Sequence, residues 1–377
     1  MAIFHVLGWL SFVLALSAIG YTVHAILAVH CFACAPQPSL APPEPVTLLK
    51  PLHGHEPRLA ENLATFLAQD WPATIQMVAG ANQACDPALT TARTLPGDVV
   101  VVGGAPSLGA NAKIANLACL ELCAAYDILV LSDSDMAVSP DYLHRIVAAL
   151  TQPGVGAVTC LYHGRGDAGF WSRFAAAAID WQFIPSVMMS LALGIGHPCM
   201  GSTIALRRDT LARIGGFEAF ADLLADDYEI GAAVRRLGLR VEVVPAFLIT
   251  HACVDGSIAA VLRHELRWSC TLRAVNGSAH LGSVLCHPLP LALLAIAFHP
   301  IPGIVTTVAA LLTRAFLASR VDGLTGAPPI SRWLLPARDI FSFIVFLASF
   351  TARSVDWQGQ RLRTGSGGRM VSRTESR

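Results

Sequence analysis

The hydrophobic pattern of the chain changes character three times. From Ile3 to about Val29 an uncharged run is interrupted only by two histidines and by Ser, Thr and Tyr, which is enough to span a bilayer as a helix. No Lys or Arg precedes it, so it reads as an uncleaved anchor rather than a secretory signal. The alternating Ala and Pro of 34–45 then suggest a linker. From Val46 short apolar runs alternate with helical segments, the signature of a doubly wound, mostly parallel α/β sheet. Strands are expected at 46–50, 75–79, 99–102, 128–133, 155–160, 201–208 and 239–245. Helices are expected at 57–69, 88–95 and from Lys113 to about 125, with another opened by the acids around 226–229 and ended by Gly238.

Two further apolar stretches follow a different rule. Residues 170–193 are mostly apolar, with Trp171, Trp181, Phe183 and the single acid Asp180. That composition suits a helix pair at a bilayer surface better than a plain core helix. Beyond Arg267-Trp268, residues 284–313 carry no formal charge but several prolines, so a tight hairpin and one kinked helix both fit. The run 340–350 is short for a span. Arg353, Arg361, Arg363, Arg369, Arg373 and Arg377 mark a basic tail, expected to be disordered and cytoplasmic by the positive-inside bias. The expected domains are an anchor at 1–30, a linker at 31–45, an α/β domain at 46–275, membrane segments at 276–352 and the tail at 353–377.

Composition agrees with a partly membrane-embedded chain. Of 377 residues, 54% are hydrophobic and 14% charged, and the formal net charge is zero; mean hydropathy is +0.55. Nothing here favours a nucleic-acid partner. Only two lysines occur, Lys50 and Lys113, every other basic position being Arg. The ten cysteines are scattered, and Cys31-x-x-Cys34 has no second pair, so all read as free thiols on a reducing cytosolic face.

The stretch Ile128-Leu129-Val130-Leu131-Ser132-Asp133-Ser134-Asp135 ends a buried strand in two carboxylates. In an open α/β sheet the carboxyl ends of the strands face the ligand crevice. Two hard oxygen ligands at i and i+2 can hold Mg2+ or Mn2+ that takes the rest of its shell from water and phosphate; an acid-capped turn is the bland alternative. The strand order brings Lys50, Asp86, Lys113 and Asp133 to strand ends on one face. His53 and His55 lack a third ligand and read as solvent-facing or as supporting a neighbouring site residue.

Six motifs occur in order: Leu48-Leu49-Lys50-Pro51-Leu52-His53-Gly54, Cys85-Asp86-Pro87, Gly109-Ala110-Asn111-Ala112-Lys113, Asp133-Ser134-Asp135, Ala225-Asp226-Asp227-Tyr228 and His264-Glu265-Leu266-Arg267-Trp268. Together they resemble the ceramide glucosyltransferase family of membrane glycosyltransferases, and within it the bacterial hopanoid-biosynthesis-associated glycosyltransferases. The resemblance covers nearly the whole chain. It implies a GT-A nucleotide-sugar-binding fold with an N-terminal transmembrane helix and C-terminal membrane helices. The implied activity is inverting, metal-dependent transfer of glucose or N-acetylglucosamine from a UDP-sugar to a lipid hydroxyl, on a hopanoid polyol or ceramide. It also implies an integral protein of the bacterial inner membrane with its catalytic domain facing the cytoplasm.

Residue by residue, Asp86 matches an aspartate near the uracil or ribose, Asp133 and Asp135 the metal and diphosphate site, and Asp227 the general base. Arg267-Trp268 match the end of a (Q/R)xxRW motif whose first position is His264 here. His197 lies where the family places an acceptor-side histidine, although a helix-end packing role fits it equally. The chemistry agrees with these roles. A doubly charged leaving group needs cationic stabilisation, for which Asp133 and Asp135 through a cation, with Lys113 and Arg267, are the candidates; Lys50 is placed with Asp86, Lys113 and Asp133 among the donor-binding residues. Inversion needs a carboxylate on the far face of the sugar. Against the base role of Asp227 stands a capping box, Asp226-x-x-Glu229, in which Asp226 caps and leaves Asp227 free. Rival readings are a processive polysaccharide synthase, for which three or so apolar segments are few, and a non-catalytic membrane receptor or transporter component.

Overall fold

The computed structural model describes residues 2–326 and 328–352, and beyond them the short strands Val355–Trp357, Gln360–Thr364 and Met370–Val371. The chain divides into two units: a sheet unit of Ala35–Tyr162, His197–Ala252 and Gly368–Arg377, and a helical unit of Met1–Cys34, His163–Gly196 and Cys253–Gly367.

The sheet has eight strands: β1 (Val46–Pro51), β2 (Ile75–Ala81), β3 (Asp98–Gly103), β4 (Ile128–Leu131), β5 (Met136–Ala137), β6 (Val155–Gly166), β7 (Ile204–Arg207) and β8 (Arg240–Cys253). Their order is β3-β2-β1-β4-β7-β6-β8-β5. Pairing is parallel through β3, β2, β1 and β4, where helices Leu59–Leu67, Pro87–Ala92 and Ala112–Glu121 return the chain between strands. β7 pairs antiparallel with both β4 and β6, and β5 with β8. The sheet is thus mixed, its parallel half lying where strands and helices alternate most regularly in sequence.

Alternation along each strand sorts side chains to opposite faces. Leu48, Met77 and Val130 join one core with Leu63 and Phe66 of helix Leu59–Leu67 and with Ala88 and Leu89. Leu49, Val78, Leu129 and Leu131 join the other with Ile114, Leu117 and Leu120 and with Ile230 and Val234 of helix Asp226–Arg236. Both faces being covered, β4 reads as an unbroken apolar run. The register sets Leu49 beside Leu131, and Ser132 N–H donates to Leu49 O at 3.2 Å. The carboxyl ends of β1 and β4 therefore stand side by side.

In the helical unit, four helices among the described residues are long and apolar enough to cross a membrane: Gly8–Ala33, Phe170–Ala192, Pro300–Thr325 and Arg332–Thr351. The pair Gly277–Cys286 and Pro288–Ile296, bent by 65°, passes the same test together. These are more than the three or so expected. Small residues let the helices approach closely: Ala15 and Ala18 of the N-terminal helix pack on Leu291, Ala292 and Ala310. A Cβ on Gly303 would stand 2.5 Å from Ile296 Cα.

Four sequence expectations change here. Residues 170–192 form a continuous run through a π-helical turn, Ile179–Phe183. Its Trp181 is fully buried and donates to Asp322 Oδ1 at 2.8 Å, so this aromatic packs inside the unit instead of lying at a bilayer surface. The helix expected to end before Arg314 continues to Thr325, and the short run 340–350 belongs to a helix beginning at Leu335. Both extensions follow from pairing: Arg314 and Asp339 form a two-pronged buried ion pair at 2.6 and 2.8 Å, and Arg338 pairs with Glu265. Partnered charges no longer end an apolar helix. Of the basic tail, Val355–Trp357 and Gln360–Thr364 pair antiparallel where disorder was expected; 353–354, 358–359, 365–369 and 372–377 lie outside the described residues.

Candidate active site

The apolar β4 ends at Leu131, and alternation continues into the segment after it. Ser132 is buried and Ser134 nearly so, while Asp133 and Asp135 are half-buried. Lys50, at the end of β1, is wholly buried. Its ammonium donates to Ser132 Oγ at 3.0 Å and Asp133 O at 3.1 Å, and lies 3.1 Å from the centroid of the Phe66 ring. Burial holds it well below the usual lysine range, against the pull of Asp133, Asp135 and Glu56. It supports the carboxylate segment from beneath. Ser134 is held as well, its hydroxyl donating to Glu56 Oε1 at 2.7 Å. Burial raises Glu56 to about 7, with Asp135 and Asp133 adding to the rise and the Ser134 bond opposing it.

Lys113 approaches from a separate helix. Gly109 has φ +67 and a Cβ there would stand 2.6 Å from Ala221 O, so the turn needs glycine. Asn111 caps helix Ala112–Glu121, its Oδ1 accepting from Lys113 N at 3.0 Å and Ile114 N at 3.2 Å. Its Nδ2 donates to Leu223 O at 2.8 Å and Asp226 Oδ1 at 3.4 Å. One amide thus ties the lysine helix to the segment that carries Asp226 and Asp227. Lys113 Nζ lies 2.6 Å from Asp133 Oδ1 and 3.7 Å from Asp226 Oδ2. Burial pushes this ammonium down, but Asp133, Asp226 and Asp227 together outweigh it and hold it above the ordinary lysine range. Burial also raises Asp133, with Lys113 opposing and Asp135 adding to the rise.

Gly201 joins the two acidic segments. Its N–H donates to Asp227 Oδ2 at 3.0 Å, and its carbonyl accepts from Asp133 N at 3.2 Å. A Cβ on it would stand 2.8 Å from Lys113 Nζ and 2.9 Å from Asp133 Oδ2, so glycine keeps open the space beside the lysine and carboxylate. Asp227 Oδ1 accepts from Tyr228 N at 2.8 Å. Its carboxyl is raised to about 6, first by burial and then by Asp226, against Lys113 and these two N–H donors.

The capping box does not form. Helix Asp226–Arg236 starts at Asp226 behind the N-cap Ala225, without a side-chain cap. The buried ammonium and amide of Lys113 and Asn111 hold the Asp226 carboxylate away from the helix end, and Asp227, expected to be free, is bound to Gly201 and Tyr228 N–H.

Asp86 is buried and fully engaged: it caps helix Pro87–Ala92 through Ala88 N at 2.9 Å and accepts from Gly54 N at 3.0 Å. His197 is exposed, and its carbonyl accepts from Arg235 Nη1 at 3.2 Å. His264, Arg267 and Trp268 belong to the helical unit, on helix Ile258–Val275. There His264 Nδ1 is 3.1 Å from Asp255 Oδ2 and its ring 4.3 Å from that of Trp268. The structure therefore brings Lys50, Lys113, Asp133, Asp135 and Asp227 together within the sheet unit. Sequence reasoning missed Glu56, Asn111, Gly201 and His251, whose Nε2 lies 3.2 Å from Asp135 Oδ2. Asn111, a cap residue before a helical run, carried a local signal; Glu56 and His251 carried none, since chain distance hides their neighbours.

Among the described residues no three His, Cys, Asp or Glu side chains stand where they could hold a metal ion by themselves. The donor set still fits a divalent cation of the hard-oxygen kind. The Asp133 carboxylate borders the space Gly201 leaves open, Asp135 follows it two residues on, and such cations complete their shells with water and phosphate oxygens.

With the geometry in hand, comparison with known proteins is direct. The model of the family described as glycosyl transferase family 21 matches residues 10–370. Ceramide glucosyltransferase 1 of Caenorhabditis elegans is 22% identical over 223 residues, 58% of this chain and 46% of that protein. Ceramide glucosyltransferase 3 of the same organism is 21% identical over 237 residues, 59% of this chain and 49% of that protein. The chain thus spans about half the length of the curated relatives it matches. Among solved structures, a mannosyltransferase from Pyrobaculum calidifontis in complex with GDP-Man and Mn2+ superposes with TM-score 0.53 at 19% identity, over 90% of this chain and 99% of that one. The fold is GT-A-like, as the resemblance implied.

Proposed function

The chain belongs to glycosyl transferase family 21, and from that premise we propose that it is an inverting, membrane-embedded hexosyltransferase. It takes glucose or N-acetylglucosamine from a UDP-sugar and joins it to a hydroxyl of a lipid, a hopanoid polyol or ceramide, at the cytoplasmic face of the bacterial inner membrane. The observation that carries the reading is the convergence on Gly201: its N–H is held by Asp227, and its open α-carbon faces Lys113 and Asp133. A proton acceptor and a charged diphosphate cradle are thereby held by one backbone residue.

In this reading Asp133 and Asp135 hold a Mg2+ or Mn2+ ion, which when bound neutralises charge on the diphosphate. Lys113 supplies a fixed positive charge beside it, and Lys50 and Glu56 keep the carboxylate segment in place from below. Asp227 accepts the proton of the lipid hydroxyl as that oxygen attacks the anomeric carbon and the bond to UDP breaks on the opposite face. Asp86, Arg267, Trp268, His197 and His264 remain assigned by family likeness, Asp86 to the nucleoside, Arg267 and Trp268 to the catalytic centre, and the two histidines to the acceptor side. The ceramide glucosyltransferase names of the relatives support a lipid acceptor, and the GDP-Man and Mn2+ of the solved neighbour support a nucleotide-sugar donor with a divalent cation.

The test is transfer of labelled sugar by membranes holding the full chain. UDP-glucose and UDP-N-acetylglucosamine are offered separately against ceramide and bacteriohopanetetrol, with and without EDTA, beside Asp227→Ala. A glycolipid formed only with metal, and absent from the variant, is the expected result, and the productive pair names the substrates. A polymer in place of a glycolipid would move the reading to a polysaccharide synthase. Failure to bind any UDP-sugar would remove the glycosyltransferase reading.

A further inference from the structure

The two buried arginines of the helical unit differ in how completely they are paired. Arg314 presents two nitrogens to Asp339 and donates its Nη1 to Trp181 O at 2.9 Å. Arg338 is left open. Its Nη2 donates to Glu265 Oε2 and to Ser342 Oγ, yet Nε and Nη1, like Glu265 Oε1, are buried with no hydrogen-bond partner among the described residues. Phe174 and Phe341 lie 4.8 and 5.0 Å from the guanidinium carbon. Rings of this kind serve the faces of a guanidinium and leave its N–H edge unserved.

Native structures rarely leave such groups orphaned, and each case calls for a cause. The missing partner must accept from Arg338 and donate to Glu265 at once. An anion would meet Glu265 with like charge, and an ammonium would meet Arg338 in the same way. A neutral hydroxyl does both, and a pair of neighbouring hydroxyls matches two open N–H groups and one open carboxylate oxygen.

Glu265 lies three residues before Trp268 on helix Ile258–Val275, hence on a neighbouring part of its surface. Arg338 stands in the first turn of helix Leu335–Thr351.

We propose that Arg338 and Glu265 form the subsite that holds the hydroxyl-bearing headgroup of the lipid acceptor, with Phe174 and Phe341 as its apolar wall. The proposal rests on the transfer reading above and assigns part of its acceptor recognition to Glu265, a motif position given no role so far, and to Arg338, outside the motifs.

The test is equilibrium binding in nanodiscs to the full chain without donor. Ceramide and bacteriohopanetetrol are each compared with an analogue of the same tail bearing one hydroxyl. The wild type is expected to prefer one multi-hydroxyl lipid by about tenfold or more. Glu265→Gln, which keeps shape and a contact to Arg338, is expected to cut that preference to about threefold or less while UDP affinity stays unchanged. Arg338→Lys should act the same way, and if it does not fold, Glu265→Gln decides alone. A wild type without preference, a Glu265→Gln variant that keeps it, or one that loses it only together with UDP binding and stability would overturn the proposal. A variant-sensitive preference without sugar transfer would leave the subsite standing and remove the transfer reading alone.

Discussion

In the sheet unit two ammonium groups, Lys50 and Lys113, meet carboxylates and carbonyls at strand ends; in the helical unit Arg314 and Arg338 meet Asp339 and Glu265 between helices. The only two lysines of the chain are thus both in the candidate site, and the buried helix-to-helix pairs use Arg. The difference has a physical cause. A lysine ammonium is a compact point charge that can sit under a backbone carbonyl and a ring, as Lys50 does, or between two carboxylates, as Lys113 does. A guanidinium fork matches one carboxylate in two prongs, which fixes two helices to each other. On the proposed reading, the charge at Lys113 and Asp133 is placed for a ligand, whereas the Arg314–Asp339 pair serves packing.

The sharpest way to break this contrast is at Asp227. Replacement by Asn is expected to lower transfer by about 10²–10⁴-fold with UDP binding retained, measured by single-turnover assay. Almost as large is the loss expected on unpairing the helices. Arg314→Leu should cost about 3–5 kcal/mol, and Arg314→Leu with Asp339→Leu should recover most of it, read by thermal unfolding in detergent. If the double variant is as unstable as the single one, the pair is not the packing device described.

Acidity gives the next test. Asp227 must be ionised to take a proton, so kcat/KM is expected to fall as pH drops through about 6 and to recover above it. Stability runs the other way. A carboxyl raised by folding binds its proton more tightly in the folded state, so the folded protein carries a penalty above about 6 that vanishes below the ordinary aspartate range. Asp227→Asn removes that penalty but can accept only one of the N–H bonds from Gly201 and Tyr228, so its thermal midpoint relative to the wild type should be higher at pH 8 than at pH 3. The smallest effect concerns Asp86. Asp86→Ala should cost about 1 kcal/mol through the lost cap, while Asp86→Ser should keep most of the stability. If Asp86→Ser also keeps UDP affinity, the residue is a cap and not a nucleoside ligand.

Local pattern made much of this molecule legible. The runs at β1, β2 and β4 are buried on both faces, so their apolar character did not depend on knowing their neighbours, and the carboxylates after β4 announced a strand-end site. The N-terminal helix was equally plain from length and lack of charge. Where one sequence signal had two uses, it could not choose. Asp226-x-x-Glu229 has the letters of a capping box, yet Lys113 and Asn111, more than a hundred residues earlier, hold the Asp226 carboxylate elsewhere. The run 340–350 looked short for a span, and only the partners of Arg338 and Asp339, Glu265 and Arg314, show why its helix extends back through them.

The sequence by itself determined the α/β unit, the anchor and the acidic strand end, because burial and periodicity are local properties of a strand or helix. Tertiary structure alone decided that Lys50 lies beneath the carboxylates, that Gly201 joins Asp227 to Asp133, and that charged helix residues are neutralised in pairs. Each of these depends on groups brought together from distant parts of the chain, and the free energy of a buried charge is set by which partner reaches it.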